Sequence, residues 1–144
     1  MNRGGLFFFS LFCAAGAAAQ QGTERARIDF LLHCSGCHRQ DGTGNPEQGI
    51  PNLVGQIGHF QRLPEGREFV VQVPGMLSAG LPDDRAAAVA NYMTRRYAGD
   101  SLPADFRPYT ADEAKRARET RPADILAKRA AIYRKLLRRG FAIK

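Results

Sequence analysis

The residues with the most distinctive chemistry form one short stretch, Cys34-Ser35-Gly36-Cys37-His38. Two thiols three positions apart can reach the two vinyl groups of one porphyrin and become thioethers, and the histidine that follows can donate an imidazole nitrogen to iron. C-x-x-C-H is the spacing at which haem is attached covalently. Gly36 has no Cβ, so the backbone can run close to the macrocycle. The stretch therefore predicts one covalent haem per chain, with Cys34 and Cys37 as its thioether donors and His38 as an axial ligand.

Other kinds of site also use a C-x-x-C pair, namely a redox dithiol and one half of a zinc site. A zinc site would be favoured by a second cysteine pair, but the remaining cysteine of the chain is Cys13. A thioredoxin-like dithiol lies near a βαβ pattern, and the flanking sequence does not alternate in that way. These alternatives, and a chance occurrence of the motif, are less well supported than haem.

The first 19 residues have the composition of an export signal. Arg3 gives a positive start, an apolar run extends from Leu6 to Ala15, and Ala17-Ala18-Ala19 matches an A-x-A cleavage site. The apolar run is shorter than the roughly 20 residues that span a bilayer, so an uncleaved anchor is the weaker alternative. We expect cleavage just before Gln20 and a mature protein in the periplasm, where haem is attached to exported chains.

Two segments near the motif have helical periodicity. Residues 23–34 place Phe30 and Cys34 on one apolar face that also includes Leu31, Ile28 and Leu32, and Thr23 is the expected N-cap. Residues 84–97 form a second helix with an expected aspartate cap. Its apolar stripe consists of Ala86, Val89, Ala90, Met93 and Tyr97. Between these helices, residues 39–58 are rich in turn formers and predict an ordered loop.

The motif C-S-G-C-H, followed by R-Q-D-G-T-G and then G-I-P-N-L-V-G, resembles the class I c-type cytochromes, the small bacterial single-haem type. The resemblance covers about residues 25–99. It implies an all-α fold that wraps one haem with helices and long loops, and a short helix, rather than a strand, around Phe69. It also implies that Pro51 supplies the backbone carbonyl that accepts the Nδ1–H of His38 and so orients that ligand.

Met76 is the predicted second axial ligand. It follows His38 by 38 positions, a separation at which the resembled family often presents its methionine, and it ends a Val73-Pro74-Gly75 turn. Thioether ligation raises the reduction potential of a haem. The alternatives are His59, an open iron site, or a core role for Met76, since methionine often fills gaps. Met93 lies on the apolar stripe of the second helix and is expected in the core.

The sequence divides by composition into the signal at 1–19, a cytochrome c domain at 22–99 and a C-terminal extension at 100–144. Residues 21–99 contain eight Lys/Arg and eight Asp/Glu, whereas residues 100–144 contain twelve and six. A capping box at Thr110–Glu113 predicts a helix to about Glu119, and a second helix runs from Asp124 to about Arg139. Its predicted apolar face has Leu126, Ala130, Tyr133 and Leu137 at the centre, widened by Ile125, Ile132 and Leu136.

The predicted function is single-electron transfer, because an iron with two protein ligands has no open position for a substrate. No paired carboxylates, nucleophile–base pair or phosphate loop stands out, so an independent enzyme is not expected. The alternatives are a tightly bound haem subunit of a larger oxidoreductase and a haem sensor or peroxidase-like protein with an open iron. The basic extension predicts an acidic redox partner, such as a periplasmic dehydrogenase or oxidase. A membrane surface is a weaker candidate partner, and nucleic acid is not expected.

Overall fold

The computed structural model describes residues 12–143, and the side chains of residues 20–143. Within this range the chain is helical and contains no strand apart from a single bridge between Asn45 and Ile50, so the all-α prediction is confirmed. The α-helices are α1 Phe12–His33, α2 Ser35–His38, α3 Ile57–Phe60, α4 Pro64–Gln72, α5 Pro74–Ser78, α6 Asp83–Tyr97, α7 Ala111–Glu119 and α8 Ile125–Arg138. Two 3-10 turns, Pro46–Gln48 and Gly99–Ser101, complete the secondary structure of this range.

Helix α1 begins well before the predicted start. It runs without a break from Phe12, so Thr23 lies inside the helix and does not cap it. Residues 1–11 of the predicted signal lie outside the described part of the chain, and cleavage before Gln20 stays a prediction. None of the helices in the described range is long and apolar enough to cross a bilayer.

Helices α1 and α6 cross through aromatic contacts. The ring of Phe30, which is fully buried, lies 5.7 Å from the ring of Tyr92 and 5.4 Å from that of Tyr97, between centroids. The buried Asp29 accepts a 2.9 Å hydrogen bond from Nε of Arg85 across the same crossing. The buried face of α1 is therefore centred on positions 26, 29 and 30. Two residues expected to extend the apolar face, Ile28 and Leu32, are exposed instead.

The predicted aspartate cap of α6 is wrong. The N-cap residue is Pro82, and no side chain caps the helix. Asp83 instead accepts a 2.6 Å bond from Arg118 on α7. A carboxylate in the first turn interacts favourably with the helix dipole. Asp83 therefore stabilises α6 and, through Arg118, also binds α7.

The two helices of the C-terminal extension begin and end close to their predicted positions. Thr110 Oγ1 accepts from Glu113 N at 3.2 Å, and Asp124 Oδ1 accepts from Ala127 N at 2.9 Å. In the predicted capping box of α7, the bond from Glu113 N to Thr110 forms but the reciprocal one does not, because the Glu113 carboxylate binds Arg67 instead.

Helix α8 is rotated relative to its predicted orientation. Ile132 and Leu136 are buried, whereas Leu126 and Leu137 remain 64% and 54% exposed. A polar contact accompanies this orientation, because Lys128 lies on the same side as Ile132 and donates to the buried Gln72 at 2.7 Å. The apolar arc of α8 is wide enough to pack in more than one orientation, and this polar contact is satisfied in only one of them.

Candidate haem site

The C-x-x-C-H motif forms one helical turn at the end of α1. His38 N donates to the Cys34 carbonyl at 2.9 Å, and Cys37 N donates to the same oxygen at 3.2 Å. Ser35 Oγ donates to the Leu31 carbonyl at 2.8 Å, which ties the turn to the preceding helix. The spacing therefore brings both thiols and the imidazole onto α2 and its N-cap residue.

Both thiols of the turn are free, and they differ in environment. Cys37 is exposed, whereas Cys34 is half-buried and packs against the hydrophobic core. Burial raises the pKa of the Cys34 thiol to about 11, with smaller contributions from Asp29 and Cys37. A Cβ built on Gly36 would meet no atom within 4 Å, so the backbone between the cysteines is open on that side, as a planar group next to it requires.

The imidazole of His38 is half-buried beside Pro51. Burial lowers the pKa of His38, and a hydrogen-bonding interaction with the backbone of Pro51 opposes that effect. Proline has no N–H, so the interacting group is its carbonyl oxygen. Nδ1 of His38 is buried, and no atom of the described residues lies within hydrogen-bond distance and angle of it. The structure thus brings Pro51 to His38, and the orienting role of Pro51 stays a prediction.

The loop that carries Pro51 is held by glycine contacts. Gly44 N donates to the His38 carbonyl at 3.0 Å, and Asn45 and Ile50 exchange two 3.0 Å backbone bonds. Gly44 has φ +65°, and a Cβ at this position would collide with the Pro51 carbonyl. Because both the backbone conformation and the close approach require glycine here, the position of the carbonyl beside His38 depends on Gly44.

The same loop is fixed to α6 through Tyr97. Tyr97 Oη donates to the Gln40 carbonyl at 2.8 Å, and the ring lies where a Cβ on Gly42 would need to be. Leu53 N closes the loop on the Gly42 carbonyl at 2.8 Å. Burial, the largest of several causes, raises the pKa of Tyr97 to about 12, so the hydroxyl stays a donor at any physiological pH.

Met76 is buried, with 2% of its surface exposed. It lies on the short helix α5 rather than in an open loop, because its N–H donates to the Val73 carbonyl at 3.0 Å. Its side chain belongs to the hydrophobic cluster against which Cys34 packs. Met93 is also buried in that cluster, from α6, as expected for a core residue.

His59, the alternative ligand, lies on α3 against the C-terminal extension. Its ring is 5.6 Å from that of Phe141, between centroids. Burial, and then the nearby Arg62, lower the pKa of His59. The structure thus shows an aromatic neighbour for this histidine in the C-terminal extension.

Sequence reasoning missed the buried polar residues around these elements. Arg67 and Gln72 on α4 are 8% and 1% exposed, and both bind the C-terminal extension. Their partners in the extension lie 40 or more positions away, and no short motif marks such a pair. The helical periodicity of α4 is the one signal that could have indicated a buried polar residue, since Gln72 falls on the apolar side of the helix.

The donor set decides which group these residues fit. Two thiols, an imidazole and a buried thioether are the groups that attach and ligate haem in c-type cytochromes. In the described part of the chain, no three His, Cys, Asp or Glu side chains converge as an ion site would require, so the zinc alternative gains no support. The residues present fit haem.

Comparison with known proteins agrees with the donor set. No family model matches the chain. A cytochrome c-552 of Thermus thermophilus is 30% identical over 138 residues, which cover 82% of this chain and 91% of the relative. A second cytochrome c-552 of Thermus thermophilus is 31% identical over 120 residues, covering 69% and 91%. A match to 82% of the chain extends beyond residues 25–99, so the similarity is wider than the motifs alone indicate. The chain therefore belongs to the class I c-type cytochromes, electron carriers that hold haem c covalently.

Proposed function

We propose that this protein is an exported single-haem cytochrome that passes single electrons from a redox enzyme to an acceptor. Cys34 and Cys37 hold the haem, and His38 and Met76 are its axial ligands. The observation that carries the proposal is the α2 turn, which presents both thiols beside a half-buried imidazole facing the Pro51 carbonyl. Haem, when bound, supplies an iron that alternates between the ferric and ferrous states.

The protein residues set the conditions for that exchange. The Pro51 carbonyl favours one orientation of the His38 ring and makes the imidazole a better donor. The burial of Met76 among apolar side chains supports a thioether ligand in a region of low polarity, which raises the reduction potential. With both axial positions filled by the chain, electron transfer is favoured over substrate chemistry.

The test uses protein matured in a host that attaches haem. Intact mass should equal the polypeptide plus one haem, and replacing both cysteines by alanine should abolish the adduct. The ferric protein should show the weak long-wavelength absorption band of methionine-ligated haem. Met76→Leu should lose this band, whereas Met93→Leu, at the other buried methionine of α5 and α6, should keep it. A mass equal to the polypeptide alone would refute the proposal. If Met93→Leu loses the band and Met76→Leu keeps it, the axial ligand is Met93 rather than Met76.

Export and partner choice belong to the same proposal. The A-x-A site predicts a mature N-terminus at Gln20, which N-terminal sequencing of exported protein checks directly. Arg134 and Arg138 are exposed on α8, and no carboxylate pairs with either among the described residues. These arginines lie on the same helix as the exposed Leu126 and Leu137, a surface that favours an acidic redox partner with some apolar contact.

The same surface supports the second candidate, a tightly bound subunit of a larger oxidoreductase. Size-exclusion chromatography of the native protein from its source cells separates the two. A free carrier elutes at the size of the monomer, whereas a subunit co-elutes with an enzyme at moderate salt.

A further inference from the structure

We infer that the C-terminal extension positions the axial methionine, because a single turn of α7 holds both ends of the segment that carries Met76. This Met76 segment comprises residues 73–80, between α4 and the start of α6. The inference rests on the proposed ligation by Met76, and it assigns positioning roles to Gln72 and Arg118.

The first end of the segment is held by Gln72, the last residue of α4. Its Nε2 donates to the Ala117 carbonyl at 2.7 Å and to the Thr120 carbonyl at 3.0 Å. The Ala117 carbonyl also accepts from Thr120 N at 3.3 Å, so the Gln72 amide adds a second region's donor to the C-terminal end of α7. Its Oε1 accepts from Lys128 Nζ of α8 at 2.7 Å. The side chain is 1% exposed, so water cannot readily replace these bonds.

The second end is held by Arg118, one residue beyond Ala117. Its Nη1 donates to the Leu81 carbonyl at 3.0 Å and to Asp83 Oδ1 at 2.6 Å. Leu81 is buried and is the point at which the chain returns to the core after α5. The bond to Asp83 is charge-assisted, which makes it stronger than a neutral hydrogen bond.

The two links meet the C-terminal end of α7 close together, at Ala117, Arg118 and the C-cap residue Thr120. Met76 lies about midway in the chain between Gln72 and Leu81, the residues that these links hold. Helix α5 is a single short helix, closed by bonds from Met76 N and Leu77 N to the Val73 carbonyl. Too short to be stable alone, such a helix depends on its neighbours for its place. A ligand held on rigid, well-supported elements stays within bonding range, whereas a loosely supported ligand does not. The extension therefore keeps the thioether in position from outside the haem-bearing region.

The positioning role predicts an effect on the iron rather than on global stability alone. In ferric holoprotein, added imidazole competes with Met76 for the iron. Its apparent affinity rises with the fraction of molecules in which the Met76 segment is open. Loss of a charge-assisted bond at one anchor should raise that affinity roughly tenfold.

The main variant is Arg118→Met, and the matched control is Arg116→Met. Arg116 lies on the same helix, is exposed, and makes no side-chain bond among the described residues. Gln72→Glu tests the other anchor independently. It keeps the volume and the acceptor for Lys128 but removes the donors to Ala117 and Thr120. We expect tighter imidazole binding in Arg118→Met and Gln72→Glu and wild-type binding in Arg116→Met, with the helical circular dichroism of all three retained at 25 °C.

The outcomes separate this inference from the ligand assignment. If neither anchor variant changes imidazole affinity while the wild type shows the methionine band, the positioning role is overturned and Met76 remains the ligand. A lower unfolding midpoint with unchanged affinity would likewise show a structural role alone. If the wild type lacks the band and Met76→Leu binds imidazole as the wild type does, the ligand assignment itself fails.

Discussion

The haem-bearing region, residues 22–99, and the C-terminal extension differ sharply in net charge, yet ion pairs join them. The first has balanced charges, and the second has twice as many basic as acidic residues. Of the six ion pairs among the described residues, four join the two regions. They are Arg67–Glu113, Asp83–Arg118, Glu68–Lys128 and Glu65–Lys135. A difference in net charge therefore does not mark a loosely attached segment here. In three of the four pairs, a basic residue of the extension binds an acid of the neutral region.

The two regions also share one hydrophobic core. The extension contributes buried residues to the same cluster as Phe30 and Met76, namely Tyr109, Ala114, Ala117, Ile132, Leu136 and Ile143. The boundary between 99 and 100 stays a prediction from composition, while the packing crosses it. The strength of the junction between the two regions can be tested by removing the extension, by removing one polar link, or by weakening one surface ion pair.

Deleting residues 104–144 should have the largest effect. Burial of a large apolar side chain stabilises a fold by about 1.5–3 kcal/mol. Loss of Tyr109, Ile132 and Leu136 together should therefore remove an amount comparable to the roughly 5–15 kcal/mol that stabilises an ordinary domain. We expect the truncated holoprotein to lose most of its helical circular dichroism at 25 °C. A truncated protein that melts within a few degrees of the full chain would show that the extension is an independent appendage.

Two leucines of α8 provide the matched control for that deletion. Leu136 is fully buried and Leu126 is 64% exposed, on the same helix. Leu136→Ala should cost about 2–5 kcal/mol in urea unfolding, and Leu126→Ala less than about 0.5 kcal/mol. Equal effects would contradict the observed orientation of α8.

Arg67→Met should have an intermediate effect. The guanidinium donates to both Glu113 oxygens at 2.9 Å, to Gln61 Oε1 at 3.1 Å and to the Arg107 carbonyl at 2.8 Å. Its removal leaves acceptors of both regions without donors, and the expected loss is about 3 kcal/mol in the free energy of unfolding. The Glu113 side chain is 28% exposed and can regain water, which keeps the cost below that of a fully buried pair.

A double-mutant cycle separates the Arg67 link from simple loss of packing. Glu113→Gln weakens the same pair from the other side, so the double variant should cost clearly less than the sum of the single ones. Additive costs would show that Arg67 acts through its other contacts, among them the ring of Tyr109, 4.3 Å from the guanidinium carbon.

The parts of this molecule that sequence could predict are those determined by near neighbours in the chain. The haem turn follows from a five-residue motif, and the ends of α7 and α8 follow from Thr110, Asp124 and the glycine after α8. Two of the predictions that failed concern side chains that can bind either a near or a distant residue. Asp83 and Glu113 could each have capped a helix, and each instead binds an arginine at least 35 positions away.

The same reason explains the rotation of α8 and the site residues that were missed. Periodicity shows that α8 has apolar residues around much of its circumference, and contacts with distant residues, such as the bond from Lys128 to Gln72, 56 positions away, accompany the buried side. At the haem site, the motif identified the thiols and the imidazole. The support of the Met76 segment could not be predicted, because it depends on which turn of a distant helix lies beside it.

The smallest expected effect comes from Glu65 and Lys135, which pair at the surface between α4 and α8. The hydrogen bond from Lys135, the largest of several causes, lowers the pKa of Glu65 from its ordinary value of 4.5. A carboxylate whose pKa is lower in the folded state adds stability above its unfolded pKa, and this stability is lost as the pH falls through the folded value. Glu65→Gln should therefore cost a few tenths of a kcal/mol in urea unfolding at pH 7 and nothing once the pH is well below 4.

Salt sharpens this last measurement, because both side chains remain partly exposed. About 1 M sodium chloride should screen the pair and remove most of the difference at pH 7. Glu47→Gln is the control and should show no such dependence, because the Glu47 carboxylate is exposed and makes no ion pair or side-chain hydrogen bond among the described residues. If Glu65→Gln costs as much at pH 3 as at pH 7, the side chain acts through packing. In that case its charge does not contribute to holding the two regions together, and the Arg67 and Arg118 links carry the polar part of the junction.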